Sequence, residues 1–137
     1  MAIRNIAVLA LYNEQKKILL QHRTKNAARL PNYWGFFGGG MHSSENPEQA
    51  LARELFEELE YRIIAPHFVF SQEFSLEKEN ETGLKYMFVE KYDTSQKLIQ
   101  HEGQGLGWWR FPELDNLLIV DHDRLALAKI QELLVDL

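Results

Sequence analysis

Apolar residues recur along this chain in two rhythms. Ile6 to Tyr12 is a continuous apolar run with polar residues on both sides, the pattern of a buried strand. "NEQK" at 13–16 is a turn, and Ile18 to His22 predicts a second strand hairpinned to the first. "RTKNAARLPNYWGFFGGG" (23–40) carries no period and predicts a loop that ends in three glycines. The rhythm then becomes helical. Asn46 suits an N-cap, Pro47 the first helical position, and Gln49 completes a capping-box pattern, so a helix is predicted over about Pro47–Leu59. At about 100° per residue, Leu51, Ala52, Leu55, Phe56 and Leu59 share one broad face. Glu54, Glu57 and Glu58 fall opposite it, in an arc of roughly 100°. "HFVFSQEF" (67–74) and "LKYMFVEKY" (84–92) predict two strands around the polar turn "EKENET". "HEGQGLG" (101–107) reads as a glycine-rich loop and "WWRF" (108–111) as a short strand. "PELDNLL" leads into a final amphipathic helix over about Asp121–Leu134. The order ββ-α-ββ-β-α predicts a mixed sheet packed between helices, an α/β sandwich, with residues 1–137 as a single domain.

Composition narrows the partners. A formal charge of −5 is a poor match to long nucleic acid, whose binding rests on phosphate neutralisation by Lys and Arg. A small phosphorylated ligand stays compatible, because a metal ion can supply local positive charge. The apolar run in "MAIRNIAVLALYNEQ" is too short for a membrane span and reads better as a strand than as a signal peptide, so no membrane partner is expected. With no cysteine there is neither a disulfide framework nor a zinc–thiolate site, which is compatible with a reducing cytosol and a cytoplasmic location. The five histidines show no metal-ligand spacing and read as ordinary polar residues.

The acidic arc is the feature that calls for chemistry. Charge runs on helices are usually solvated faces, and that reading stands beside the functional one. But carboxylates at i, i+3 and i+4 repel one another, and Arg53 is the only cation on that side of the helix. A divalent cation resolves the repulsion. Mg²⁺ (or Mn²⁺) takes oxygen ligands, a few carboxylates and substrate phosphates, and a glycine at the end of the preceding loop lets a backbone carbonyl reach the same ion.

The segment "GGMHSSENPEQALARELFEELEY" resembles the Nudix box, G-x5-E-x7-R-E-U-x-E-E-x-G-U with U a bulky apolar residue. Gly39, Glu45, Arg53, Glu54, Leu55, Glu57 and Glu58 fall in register. Two positions depart. Glu60 stands where the box has its last glycine, with a slightly extended helix as the expectation, and Tyr61 takes the last apolar position. The likeness runs over nearly the whole chain and implies a Nudix-type α/β/α sandwich with a mixed central sheet. It further implies Mg²⁺-dependent hydrolysis of a nucleoside diphosphate linked to another group. Glu54, Glu57 and Glu58 would be metal ligands, aided by the Gly39 carbonyl. Arg53 would orient the carboxylates, and Glu45 would hold the loop or a water-mediated metal. "EGQGLGWW" is similar to a loop of MutT-like triphosphate hydrolases, which makes Glu102 the candidate base; Arg23 matches a phosphate-contacting arginine. Asp123 matches a residue that reads the base edge, with helix capping as its alternative. Tyr33 and Trp34 are the candidates for stacking on the base, while most of Phe36, Phe37, Trp108 and Trp109 are expected in the core. The default is a MutT-like nucleoside triphosphate pyrophosphohydrolase, a small nucleotide being its partner and a homodimer compatible. A nucleotide-sugar hydrolase is the second reading, and a non-catalytic nucleotide-binding module the third.

Overall fold

A computed structural model describes residues 2–136. Its frame is a mixed sheet. The strands are β1 (Ala2–Ile3), β2 (Ile6–Tyr12), β3 (Ile18–His22), β4 (Trp34–Gly35), β5 (Phe37–Gly40), β6 (His67–Leu76), β7 (Glu81–Lys91) and β8 (Gly105–Trp109). Helix α1 (Pro47–Leu59) follows β5, and a 3₁₀ turn (Phe111–Asn116) precedes helix α2 (Asp121–Val135). β2 runs parallel to β7 and antiparallel to β5 and β3; β3 also pairs with β4 and β8, and β6 with β7.

The apolar run of β2 is explained by its two neighbours. Ile6, Val8 and Ala10 face α2, packing in one core with Ala126, Leu127, Ile130 and Leu134. Ala7, Leu9 and Leu11 face α1, packing in a second core with Ala50, Leu51, Leu55 and Leu59. A strand covered on both faces needs no polar alternation. The layers are therefore helix, sheet, helix, the α/β/α sandwich expected. Among the described residues no helix is long and apolar enough to cross a membrane.

Four expectations are corrected. The three glycines do not end a loop: Phe37–Gly40 is strand β5, in register with Leu9 back to Ile6. Glycine is depleted in strands, so its pattern hides a strand that pairing alone creates. The short strand spans Gly105–Trp109 rather than 108–111, because Phe111 already opens the 3₁₀ turn with Pro112 behind it. On α1, Ala52 and Phe56 lie outside the core, Phe56 beneath the Arg62 guanidinium 4.5 Å from its ring, whereas Glu58 is buried at 3% exposure. The helix is not extended past Leu59. Glu60 itself takes the left-handed cap, at φ 53° and ψ 28°, and its N–H donates to Phe56 O.

Candidate active site

The site starts from β5 and α1. The capping box at Asn46 and Gln49 forms with both reciprocal bonds, at 2.8 and 2.9 Å, and fixes where α1 begins. Gly38 has φ +134°, and a Cβ there would lie 2.2 Å from Ala7 O. A Cβ on Gly39 would lie 2.8 Å from the Glu54 carboxylate. Bare backbone at Gly38 lets β5 lie close against β2, and bare backbone at Gly39 makes room for Glu54 of α1. Glu54 thereby lies across Gly39, and the Gly38 N–H donates to Glu58 Oε1 at 2.9 Å.

Arg53 organises the surrounding acids. Its Nε and Nη2 hold Glu45 at 2.7 and 2.9 Å, its Nη1 reaches Glu54 at 2.9 Å and Glu57 at 3.5 Å, and Nη2 also donates to Gly40 O at 2.9 Å. It touches three carboxylates and a backbone carbonyl, where a simple helix ion pair would touch one acid. Arg53 and the His42 N–H hold the Glu45 carboxyl down at about 2. Glu45 thus fastens the loop before α1. Glu58 shifts the other way. Burial raises it well above the usual carboxylate range, and the charges of Glu54 and Glu102 add to this, while the Gly38 N–H opposes them. Glu57 stands out toward solvent, 58% exposed at its side chain.

Among the described residues no three His, Asp or Glu side chains converge into a formed metal cage. Arg53 draws on Glu54 and Glu57, and Glu58 turns to Gly38. The donor set nevertheless suits a hard divalent ion. It is all oxygen, it clusters acids around a single contacting guanidinium, and its innermost carboxyl is driven toward protonation by burial first and by the neighbouring carboxylates second.

The 101–104 loop closes over the C-terminal end of α1. The His101 N–H donates to Glu58 O at 2.8 Å, and the His101 ring meets Glu60 Oε2 at 2.6 Å. Glu102 is thereby brought beside Glu58. The loop is tied rather than loose: Gln100 Nε2 donates to Glu102 O and Gly105 O, and Gln104 Nε2 to Arg23 O and Asn32 Oδ1. Arg23 and Glu102 line one depression together.

A second cavity, about 110 Å³ in volume, opens on the α2 side, and Arg23, Tyr33, Trp34, Gly39 and Asp123 all line it. Trp34 stacks on His22, ring centroids 4.4 Å apart, and meets Trp109 edge-on. Phe36 and Phe37 are buried, and Trp108 and Trp109 pack on opposite cores, as expected. Asp123 is not a cap. The α2 N-cap is Val120, with no side-chain bond, and Asp123 instead accepts from Lys85 Nζ at 2.5 Å.

Several residues of this cavity escaped sequence reading. Arg4 and Arg29 line it, Arg29 held by Glu81 at 2.6 and 2.8 Å. Lys85 lies behind it, fully buried, with His122 Nδ1 at 2.7 Å from its ammonium. Burial lowers both Lys85 and His122, while the Asp123 charge opposes the shift in each. His122 is thus no ordinary surface histidine. A signal for Lys85 existed: it shares the period-two row of Met87 and Val89, so a charge stood in an inward-facing series.

A family model described as NUDIX domain matches residues 1–130, the span that holds the glycine strand, the carboxylates of α1 and the cavity. The chain belongs to the Nudix family. It is a Nudix hydrolase, acting on phosphoric anhydride bonds. Solved structures share the fold. A MutT NUDIX hydrolase from Burkholderia pseudomallei is similar at TM-score 0.77 and 22% identity, covering 93% of this chain and 98% of that one. The MutT protein of Methanosarcina mazei Go1 is similar at TM-score 0.76 and 18% identity, covering 87% and 86%. The NUDIX domain of Shewanella oneidensis NrtR, solved in complex with ADP ribose, is similar at TM-score 0.72 and 19% identity, covering 98% and 88%. No curated protein matches the sequence.

Proposed function

We propose that this Nudix hydrolase is a MutT-like nucleoside triphosphate pyrophosphohydrolase dependent on Mg²⁺ or Mn²⁺. One observation carries the reading: Gly39 touches both halves of the site. The Glu54 carboxylate lies against its Cα, and the same residue lines the cavity that holds Arg23, Tyr33, Trp34 and Asp123. A nucleotide with its base in that cavity would lead its phosphates across β5 toward the acids of α1.

The residues divide the work. Glu54, Glu57 and Glu58, with the Gly39 carbonyl, would hold the divalent ion. When bound, it supplies charge neutralisation for the phosphates and a more acidic water. Arg53 keeps Glu54 and Glu57 turned to one side through its own bonds. Arg23, its Nε anchored on Arg29 O at 2.7 Å, faces the phosphates as a fixed cation. Tyr33 and Trp34 wall the base, and Asp123 accepts from its edge. Glu102, beside Glu58, accepts the proton of the attacking water. That water adds across one P–O–P bridge, yielding a nucleoside monophosphate and pyrophosphate.

The test is turnover on a panel of nucleoside triphosphates, nucleotide sugars and dinucleotides, each with Mg²⁺ and with EDTA. Pyrophosphate release from triphosphates, lost in EDTA, is expected. Turnover confined to nucleotide sugars would replace the substrate assignment. Binding without any product at saturating Mg²⁺ would make the chain a sensing module instead.

A further inference from the structure

Arg4 carries a guanidinium that the reaction above does not use. The other arginines of the site are committed to protein acceptors. Arg53 bonds three carboxylates and a carbonyl, Arg29 lies two-pronged on Glu81, and Arg23 is anchored through Nε on Arg29 O. Among the described residues no protein acceptor bonds the Arg4 side chain.

The backbone fixes where that side chain starts. The Arg4 N–H donates to Thr82 O at 2.8 Å, and a Cβ on Gly83 would lie 2.2 Å from Arg4 O, so β7 packs directly on this residue. The side chain then runs over β5: a Cβ on Gly40 would lie 3.3 Å from both Nε and Nη2. Arg4 lines the cavity together with Gly38 and Gly39, and the Glu54 charge also acts on it. It therefore stands where the cavity meets the acids of α1.

An unpaired guanidinium in that place is costly. Burial lowers its proton affinity and the charge of Arg29 adds to this, while Glu81 and Glu54 oppose it. The cavity offers no counter-charge to spare. Asp123 is the only carboxylate lining it among the described residues, and Lys85 already holds Oδ1 at 2.5 Å. A planar fork of N–H donors without acceptors suits an oxyanion with several oxygens, and phosphate is the one a nucleotide carries.

We propose that Arg4 binds the phosphate attached to the nucleoside and so sets the register of the phosphate chain on the acids of α1. This rests on reading the cavity as the seat of the base. It does not depend on the leaving group, because nucleoside triphosphates and nucleotide sugars share that phosphate.

Titration calorimetry on the intact chain in EDTA isolates the contact from any metal. The probes are adenosine, guanosine, cytidine and uridine, each as the nucleoside, the 5′-monophosphate and the α,β-methylene triphosphate. For the base that binds best, Arg4→Met should weaken the monophosphate and the triphosphate alike, by about 10–100-fold, and leave the nucleoside within about twofold. Arg4→Lys, a point charge without the fork, should recover part of that loss. With Mg²⁺ the loss should appear in KM, with kcat within about threefold, because the contact is made before and during the reaction. Arg4→Met strands no protein acceptor, so it should melt no lower than wild type; a structural role would lower the melting temperature. Nucleotide affinity unchanged in both variants overturns the proposal. So does a common loss for nucleoside and nucleotides, a loss confined to the triphosphate, or a wild type that binds none of the phosphates. Arg4-dependent binding without turnover at saturating Mg²⁺ would sink the proposed reaction and leave this inference standing. Turnover of triphosphates with a KM indifferent to Arg4 would do the reverse.

Discussion

Helices α1 and α2 each bring an ionic cluster to the site, and the two are built to opposite rules. On α2, Asp123 meets Lys85 at 2.5 Å, so the charges cancel inside the fold. On α1, several carboxylates gather around one guanidinium, and Glu58 is left buried beside Glu54 and Glu102 with its proton affinity raised. A self-neutralised pair needs no counter-charge from outside. A cluster of uncancelled like charge is unfavourable until a cation arrives, and that is the condition for ion-dependent chemistry. Changes in the α1 cluster should therefore remove turnover and spare the fold. Changes in the α2 pair should alter what binds.

The sharpest way to break the contrast is Glu102→Gln. It removes charge and keeps size, and a lost general base should lower turnover by about 10²–10⁴-fold with little change in substrate affinity or melting temperature. A silent variant would move the base to a glutamate of α1, and full rescue at high Mg²⁺ would make Glu102 a ligand. Glu57→Gln should come next, with turnover down by roughly 10²–10³-fold as an electrostatic contact to the transition state is lost. Its side chain is 58% exposed, so circular dichroism and melting should match the wild type. Full activity of the wild type in excess EDTA would remove the metal from the picture altogether.

A third variant sharpens the comparison through stability. Glu58 binds its proton more tightly in the folded chain than its ordinary value of 4.5 allows. A carboxyl raised on folding favours the native state at low pH, and this contribution fades as pH rises above the ordinary value toward the folded one. Metal-free wild type should accordingly lose stability on the alkaline side. Glu58→Gln should flatten that limb and melt higher than wild type at pH 8, while Mg²⁺ raises the melting temperature of the wild type alone. Equal pH profiles for the two would show that Glu58 carries no such load. The smallest effect is expected from Glu60→Gly, with turnover within a few-fold. Glu60 already holds the left-handed cap that glycine favours, and its side chain turns to His101, outside the acid cluster. A large loss would mean that the His101 contact holds the 101–104 loop in its working position.

Much of this protein could be read from the order of its residues. Local rules set the start of α1, because a capping box, a proline and a period of 3.6 all act within a few residues. Strands β2, β3, β6 and β7 announced themselves by apolar runs, and the spacing of Gly39, Glu45, Arg53, Glu54, Glu57 and Glu58 marked the acids as one group. Arg23, Tyr33, Trp34 and Asp123, named separately along the chain, do share a cavity. Tertiary structure decided what depends on partners distant in sequence. Gly38–Gly40 is a strand only because β2 pairs with it, and Glu58 is buried where that strand's Gly38 N–H meets its carboxylate. Asp123 is an ion-pair partner rather than a cap because β7 sets Lys85 beneath it, a contact across 38 positions that no local pattern encodes. Side-chain type and short-range spacing are written along the chain. Burial, pairing and the charge a group can sustain are set by whatever folding brings alongside.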